Sequence, residues 1–269
     1  MTVKRVDGAV ALVTGGASGL GRTIAQRLAS DGASVVISDT HVVMGSTVAA
    51  ESGLIFLEQN VSDEAAWIRV VANIETRFGA LDILVNSAGI LGPMENSTPE
   101  HTTLESWREI FSVNVEGVFL GCRTAIPAMR RAGGGSIINL ASIAERLATP
   151  HVTAYGASKA AVRQLTQSVA QYCAQERLKI RCNSVDPGMI RTPMLERSME
   201  EIARARGVPL SQIVAEHQAE IPLGDFTKAE DVAAAVAFLA SEDARHITGS
   251  VLFVDGGIVN CNTYRVSQH

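Results

Sequence analysis

Seven short, continuously apolar runs alternate with amphipathic stretches along this chain, and no other feature limits its fold so tightly. The runs are Val10–Thr14, Ser34–Ser38, Leu54–Leu57, Leu81–Asn86, Ser136–Ala141, Ile180–Val185 and Ser250–Val254. Strands that are apolar at successive positions suit a sheet covered on both faces, the usual setting of parallel strands. Helical patterns fill the intervals at 19–31, 43–51, 63–78, about 103–131, 153–176 and 229–240. This alternation predicts an α/β fold, a parallel seven-stranded sheet with helices on both faces, wound right-handedly. No repeat, low-complexity tract or interdomain linker interrupts it, so residues 1–269 are expected to form one domain. The one long irregular region, Pro187 to Asp225, is polar and contains methionines. With Phe226 it is expected to form a substrate-binding lid over residues 187–226, carrying two short helices.

The loop between the first run and the first helical pattern reads Thr14-Gly15-Gly16-Ala17-Ser18-Gly19-Leu20-Gly21. Glycines let a backbone turn tightly against a pyrophosphate, and a helix N-terminus offers free N–H groups and positive potential. In this strand–loop–helix position the cluster points to a dinucleotide site in a Rossmann-type, doubly wound sheet. Asp39 ends the second run, 18 residues after Gly21 (39 − 21). A carboxylate there accepts hydrogen bonds from the adenosine ribose and repels a 2′-phosphate. Ala17, Ser18 and Thr40-His41-Val42 supply no Lys or Arg, so the expected cofactor is NAD rather than NADP.

Further along stand Ser142, Tyr155 and Lys159, spaced Ser-x12-Tyr-x3-Lys. A free tyrosine titrates near pH ~10 and is a poor base at neutral pH. Within a helix over 153–176, residues four apart share a face, so the Lys159 ammonium can approach the Tyr155 phenol. A nearby cation favours the phenolate and is expected to lower its pKa. Ser142, at the end of an apolar run, is placed to hydrogen-bond a substrate oxygen, and it also suits the N-cap of a short helical turn.

Together these residues resemble the short-chain dehydrogenase/reductase family, over about residues 7 to 257. The glycine loop matches that family's T-G-x-x-x-G-x-G, and Asn86-Ser87-Ala88-Gly89 resembles its N-N-A-G segment with serine replacing the second asparagine. Asn114 matches the helix asparagine of the catalytic tetrad, and Ser142, Tyr155 and Lys159 match the rest. Pro187-Gly188 followed by Thr192 resembles the segment that grips the nicotinamide carboxamide. The resemblance implies hydride transfer between NAD(H) and a secondary alcohol or ketone, with Tyr155 as acid/base. Lys159 would hold the nicotinamide ribose, and Asn114 would fix a backbone kink and a water. The cofactor set it implies is Gly15, Ser18, Gly19, Leu20, Gly21, Asp39, Asn60, Val61, Asn86, Ala88, Gly89, Tyr155, Lys159, Pro187, Gly188, Ile190 and Thr192. Asn60 stands where the family usually has aspartate and is expected to meet the adenine with the Val61 backbone. Asp225 replaces a frequent basic residue and is expected to be a surface change. The resemblance also implies a homotetramer. Helices 103–131 and 153–176 carry faces suited to pairing, among them Ala154, Ala157, Ala161, Val162 and Leu165.

The substrate is less legible. Residues past Gly89, those after Ser142, and Met189, Met194 and Leu195 on the lid are mostly apolar. They favour a hydrophobic or cyclic alcohol, steroid-like or terpenoid-like. Glu145 and His151 are the polar exceptions, expected either to bind a hydroxyl or to face solvent at the rim. With 46% hydrophobic and 19% charged residues the composition is globular, and a net charge of −5 argues against nucleic acid as a partner. It also argues against a 3-oxoacyl-(carrier protein) reductase, which needs a basic patch; the remaining alternative is a non-catalytic NAD-sensing protein on the same fold. No apolar stretch reaches the ~18 residues of a membrane span, and the N-terminus has no signal-peptide core, so a cytoplasmic location is expected. Cysteines 122, 173, 182 and 261 lack metal or disulfide spacing and are expected to be small core residues, and no metal site is expected.

Overall fold

A computed structural model describes residues 6–261 except Met94, Asn96 and Thr192 and the side chains of Pro193 and Met194. All seven expected runs form strands: β1 (Val10–Thr14), β2 (Ser34–Asp39), β3 (Ile55–Glu58), β4 (Ile83–Asn86), β5 (Gly135–Leu140), β6 (Ile180–Pro187) and β7 (Val251–Val254). They pair in parallel in the order β3-β2-β1-β4-β5-β6-β7. The chain winds outward from β1 to one edge, then returns beside β1 with β4 and winds to the other. Loops at the carboxyl ends of β1 and β4 therefore diverge and open a crevice between them.

Nine helices are described: α1 (Gly19–Ser30), α2 (Val42–Ser52), α3 (Glu64–Phe78), α4 (Leu104–Phe111), α5 (Gly117–Ala132), α6 (Thr153–Gln175), α7 (Pro193–Arg206), α8 (Leu210–Ala219) and α9 (Ala229–Ala240). One face of the sheet packs Leu12, Leu84, Ile137 and Cys182 against Val70 and Ile74 of α3, Met129 of α5 and Val162 of α6. The other packs Val13, Ile37, Val85 and Val185 against Ile24 and Leu28 of α1, Val48 of α2 and Val236 of α9. Because both faces are covered, strand side chains are buried at successive positions, which is why these runs are apolar throughout.

Local chemistry sets the element ends. The Asp63 carboxylate accepts from Ala65 N at 2.9 Å and caps α3, and Gly79 closes that helix in the left-handed region at φ 80. Thr103 caps α4 by accepting from Ser106 N at 3.1 Å. Trp67, fully buried, donates from Nε1 to the Val61 carbonyl at 2.8 Å and ties α3 to the end of β3.

Three expectations change. The single helix foreseen at 103–131 is divided by a wide π turn, Ser112–Glu116, between α4 and α5. Ala154 and Val162, expected on a subunit-pairing face, are buried within the subunit, and Val162 belongs to the sheet core. Cys122, Cys173 and Cys182 are buried core residues as expected, but Cys261 is exposed. The region 187–226 carries α7 and α8, whose residues Met199, Ala203 and Ile213 join Ile221 and Phe226 in an apolar cluster of their own.

Candidate active site

The glycine loop is shaped by contacts that tolerate no side chain. Gly15 takes φ 66, and a Cβ on it would lie 2.9 Å from Ala88 Cα. A Cβ on Gly21 would lie 2.2 Å from the Gly15 carbonyl oxygen, so only glycine lets α1 begin this close to the loop. Thr14 ties the loop to the segment after β4: its Oγ1 accepts from Ser87 N and Ala88 N, each at 3.1 Å. Ser18, the N-cap residue of α1, makes no side-chain capping bond, so no side chain of its own blocks the first turn of the helix.

Asp39, partly exposed at the end of β2, accepts from Ala17 N at 3.1 Å through Oδ2 and from His41 N at 3.0 Å through Oδ1. It thus braces the glycine loop while remaining open to the crevice rim. Asn60 is exposed, and its Oδ1 accepts from both the amide (3.0 Å) and the hydroxyl (2.8 Å) of Ser62. Its carbonyl is therefore engaged, and its amide nitrogen is the group left to meet an adenine. Asn86 takes a more structural position than the sequence suggests. Its side chain is buried, and Nδ2 donates to Asn139 Oδ1 at 2.8 Å in the layer beneath α5. The backbone of Gly89 passes close to the reactive residues: a Cβ there would sit 3.3 Å from Asn114 Oδ1 and 3.5 Å from Lys159 Nζ.

Asn114 lies in the π turn with no exposed surface. Its Oδ1 accepts from Ile90 N at 2.8 Å, and Nδ2 donates to Ile90 O at 2.8 Å and to Ser158 Oγ at 3.0 Å. Ser158 in turn donates to the Tyr155 carbonyl at 2.7 Å. One amide thereby links the segment after β4 to the first turns of α6, and the extra residue of the π turn delivers it there. Lys159, 6% exposed, donates from Nζ to the Leu140 carbonyl at 2.9 Å, and its Nζ stands 5.5 Å from the Tyr155 ring centroid. Ser142 is the N-cap foreseen, of a 3-10 turn, Ile143–Glu145, accepting from Ala144 N at 3.2 Å, and its side chain also hydrogen-bonds Tyr155, a contact not expected from the sequence.

The electrostatics differ from the simple lysine–tyrosine picture. Burial pushes the Tyr155 phenol above its ordinary value, the Ser142 hydrogen bond pulls it down, and the charge of Asp186 pushes it up again. The lowering expected from Lys159 does not prevail, because burial disfavours the phenolate more strongly than a cation standing off the ring face favours it. Burial also pushes Lys159 down to about 8, against the opposing pull of Asp186. Asp186 escaped notice in the sequence, although a carboxylate inside the apolar end of β6 was itself the signal.

The expected substrate contacts divide. The Glu145 side chain is 1% exposed and paired with Arg163 at 3.2 Å and Arg146 at 3.3 Å, so it does not sit at a solvent-facing rim. His151 is exposed, just before α6. Met189 packs on the cluster formed by α7 and α8. Pro187 ends β6; Gly188 donates from its amide to the Val254 carbonyl at 2.9 Å, and Ile190 bridges to Thr227. Thr192 and the Met194 side chain lie outside the described residues. Among the described residues no group of three His, Cys, Asp or Glu is arranged to hold a metal, and no helix is long and apolar enough to cross a membrane. A broad hollow of about 910 Å³, lined by Asp82, Gly133, Lys179 and Arg245 among others, opens beside the starts of β4, β5 and β6, at the opposite ends of the strands from these residues.

A family model described as Enoyl-(Acyl carrier protein) reductase matches residues 15–259. The 3-beta-hydroxysteroid dehydrogenase of Comamonas testosteroni is 39% identical over 258 residues, covering 95% of this chain and 97% of its own. The NADP-dependent (R)-specific alcohol dehydrogenase of Lentilactobacillus kefiri is 37% identical over 260 residues, covering 94% and 97%. The cyclopentanol dehydrogenase of Comamonas testosteroni is 39% identical over 260 residues, covering 94% and 98%. Matches of this length and identity run from the glycine loop through Tyr155 and Lys159 to the last strand, and the chain belongs to the short-chain dehydrogenase/reductase family.

Proposed function

We propose that this protein transfers hydride between NAD(H) and a secondary alcohol or its ketone, with Tyr155 moving the proton. The observation that carries the reading is the convergence of Ser142, Tyr155, Lys159 and Asn114 at the carboxyl ends of β4 and β5, beside the Gly15–Gly21 cradle. The residues fit a dinucleotide. Gly15, Gly16 and Gly21 have no room for a side chain, the first turn of α1 carries no capping side chain, and Asp39 presents a carboxylate where a ribose would lie. Asn60, Val61, Ala88, Gly89, Lys159, Pro187, Gly188 and Ile190 would complete the binding surface. When bound, the nicotinamide ring supplies or accepts the hydride and, in its oxidised form, adds a positive charge beside the phenol.

The chain's own groups handle the proton. A phenol pushed up by burial is neutral at rest, the form that donates a proton to a ketone oxygen. In the opposite direction Tyr155 must accept the hydroxyl proton, and the Lys159 ammonium favours that step. Ser142 holds the substrate oxygen and steadies the charge that develops on it, an effect worth most where water is excluded. Asn114 fixes α6 relative to the segment after β4, and so fixes the angle at which Tyr155 meets substrate.

The named substrates of the relatives, an (R)-specific alcohol, a 3-beta-hydroxysteroid and cyclopentanol, support a cyclic or hydrophobic secondary alcohol here. NAD preference rests on the Asp39 carboxylate and on the lack of a Lys or Arg at Ala17, Ser18 and Thr40–Val42. The region 187–226 acts as the lid over the substrate, and a homotetramer is the assembly we infer, to be checked by light scattering. The deciding experiment is a turnover screen with NAD+ and with NADP+ against cyclopentanol, 2-butanol and a 3-beta-hydroxysteroid. Reduction of NAD+ by at least one alcohol, at higher kcat/KM than NADP+, is expected. Cofactor binding without turnover of any alcohol, or of any ketone in reverse, would favour a sensing protein instead.

A further inference from the structure

The end of β6 carries a charge that neither the cofactor cradle nor the proton transfer just described employs. Asp186 sits in register with Phe253 of β7, next to Val185, which pairs with Leu140. It has no exposed surface. Its Oδ1 accepts from Ser184 Oγ at 2.9 Å, while Oδ2 is buried with no hydrogen-bond partner among the described residues. An apolar side chain would satisfy every packing demand of a buried strand position, so a half-satisfied carboxyl there costs stability and calls for an explanation.

Its surroundings supply one. From α6, Lys159 and Arg163 act on Asp186, and Tyr155 of the same helix feels its charge. From the 3-10 turn after β5 comes Glu145, itself buried and bound to Arg163 through Oε2 at 3.2 Å. Strands β5 and β7 carry no ionisable side chain. Asp255, just past β7, spends its carboxylate on Gly257 N and Val259 N at 2.9 and 2.8 Å. Val185, its neighbour on β6, pairs with Leu140 of β5, whose carbonyl accepts from Lys159 Nζ at 2.9 Å, so Asp186 is a buried carboxyl one residue along the strand from the register that anchors the lysine, and its charge acts on both residues that handle the proton.

We propose that Asp186 is a positioning residue for the proton transfer: set beside the Tyr155–Lys159 pair, its carboxylate retains a proton on that pair and so sets the pH at which Tyr155 turns from donor to acceptor. The sign follows from charge. A nearby anion favours the protonated forms of both the ammonium and the phenol. The carboxyl itself is pushed up to about 7, chiefly by burial; Ser184 lowers it, Glu145 raises it, and Lys159 and Arg163 lower it. Near neutrality Asp186 therefore changes its own charge. In its neutral form it leaves the pair to burial alone, and in its charged form it holds the lysine's proton and resists phenolate. Glu145 and Arg163, themselves paired at 3.2 Å, also act on this group, with opposite signs.

The inference rests on Tyr155 being the proton-transfer group, and its test includes a readout free of turnover. The chain has four lysines (Lys4, Lys159, Lys179 and Lys228), so protein labelled with 13C at the lysine ε-carbon gives few signals, and Lys159→Arg assigns the one that matters. In Asp186→Asn, which removes the charge at nearly constant volume, the Lys159 midpoint is expected to fall by about one unit, a tenfold change in the protonated-to-neutral ratio. The other lysines stay where they are. The pH profile of kcat/KM for cyclopentanol oxidation moves in the same direction. A folded Asp186→Asn protein whose Lys159 midpoint does not move overturns the proposal. Should that variant not fold, Asp186→Ser removes the same charge and is read in the same way. If Lys159 shifts but no alcohol is turned over, the alcohol dehydrogenase reading fails and the coupling stands. If alcohols are oxidised and neither midpoint nor profile moves, the coupling fails alone.

Discussion

The buried carboxyl of Asp186 makes a measurable demand on the stability of the whole protein. Its folded-state pKa is raised from 3.8 to about 7. The native state therefore holds this proton more tightly than the unfolded state does between those values, and stability falls as pH rises through that window. About three units at ~1.4 kcal/mol each give a ceiling of about 4 kcal/mol, absent below the lower value and fully present above the upper one. Asp186→Asn cannot ionise and escapes this loss, but its amide inherits an unpartnered site, at about 1–3 kcal/mol. The variant is thus expected to be equal to or less stable than the parent at about pH 4, and about 1–3 kcal/mol more stable at about pH 8. Lys159 has the opposite sign in a higher window: lowered from 10.5 to about 8, it makes stability rise with pH there, so the comparison stops at the foot of that window. Urea midpoints read by Trp67 and Trp107 fluorescence, at one protein concentration because assembly shifts apparent stability, supply the test. A stability difference between variant and parent that is the same at both pH values would refute the buried-carboxylate assignment.

Three further outcomes are expected. Tyr155→Phe should lower kcat by at least about 10²-fold, the usual contribution of general acid–base catalysis, while leaving NADH binding intact by fluorescence titration; retention of more than a few per cent of the parent rate would exclude the acid/base role. Asp39→Ala should weaken NAD+ binding by about 1.5–3 kcal/mol, roughly ten- to a hundredfold, and NADP+ binding less, so a calorimetric comparison in which NAD+ loses no more than NADP+ would remove Asp39 from cofactor selection. Trp67→Phe deletes the Nε1 donor to the Val61 carbonyl and should cost about 1–3 kcal/mol; thermal unfolding unchanged from the parent would mean that this bond contributes nothing to holding the end of β3.

Much of the fold could be read because burial on both faces of a parallel sheet writes itself into consecutive apolar residues, as at Val10–Thr14 and Ile180–Val185. The glycine loop was equally open, since Gly15 and Gly21 are required by backbone approaches that any Cβ would block. The break at Ser112–Glu116 was hidden because one π turn shifts the helical phase by a single residue, too little for periodicity to register. Direction of charge effects was hidden for another reason. Spacing showed that Lys159 and Tyr155 share a helix face, but not that burial would outweigh their attraction, nor that Asp186 of a distant strand would act on both. Glu145 read as either a substrate contact or a rim residue because its partner Arg163 stands 18 positions away and meets it only after α6 has packed on the 3-10 turn.

The helices α7 and α8 bury Met199, Ala203, Ile213, Ile221 and Phe226 among themselves, apart from the two apolar layers that flank the sheet. Substitutions in one packed group add independently to those in another when they share no neighbours. That cluster is thus an interchangeable part: its residues can be redrawn without loosening β1 to β7, and the sheet can drift without redrawing the cluster.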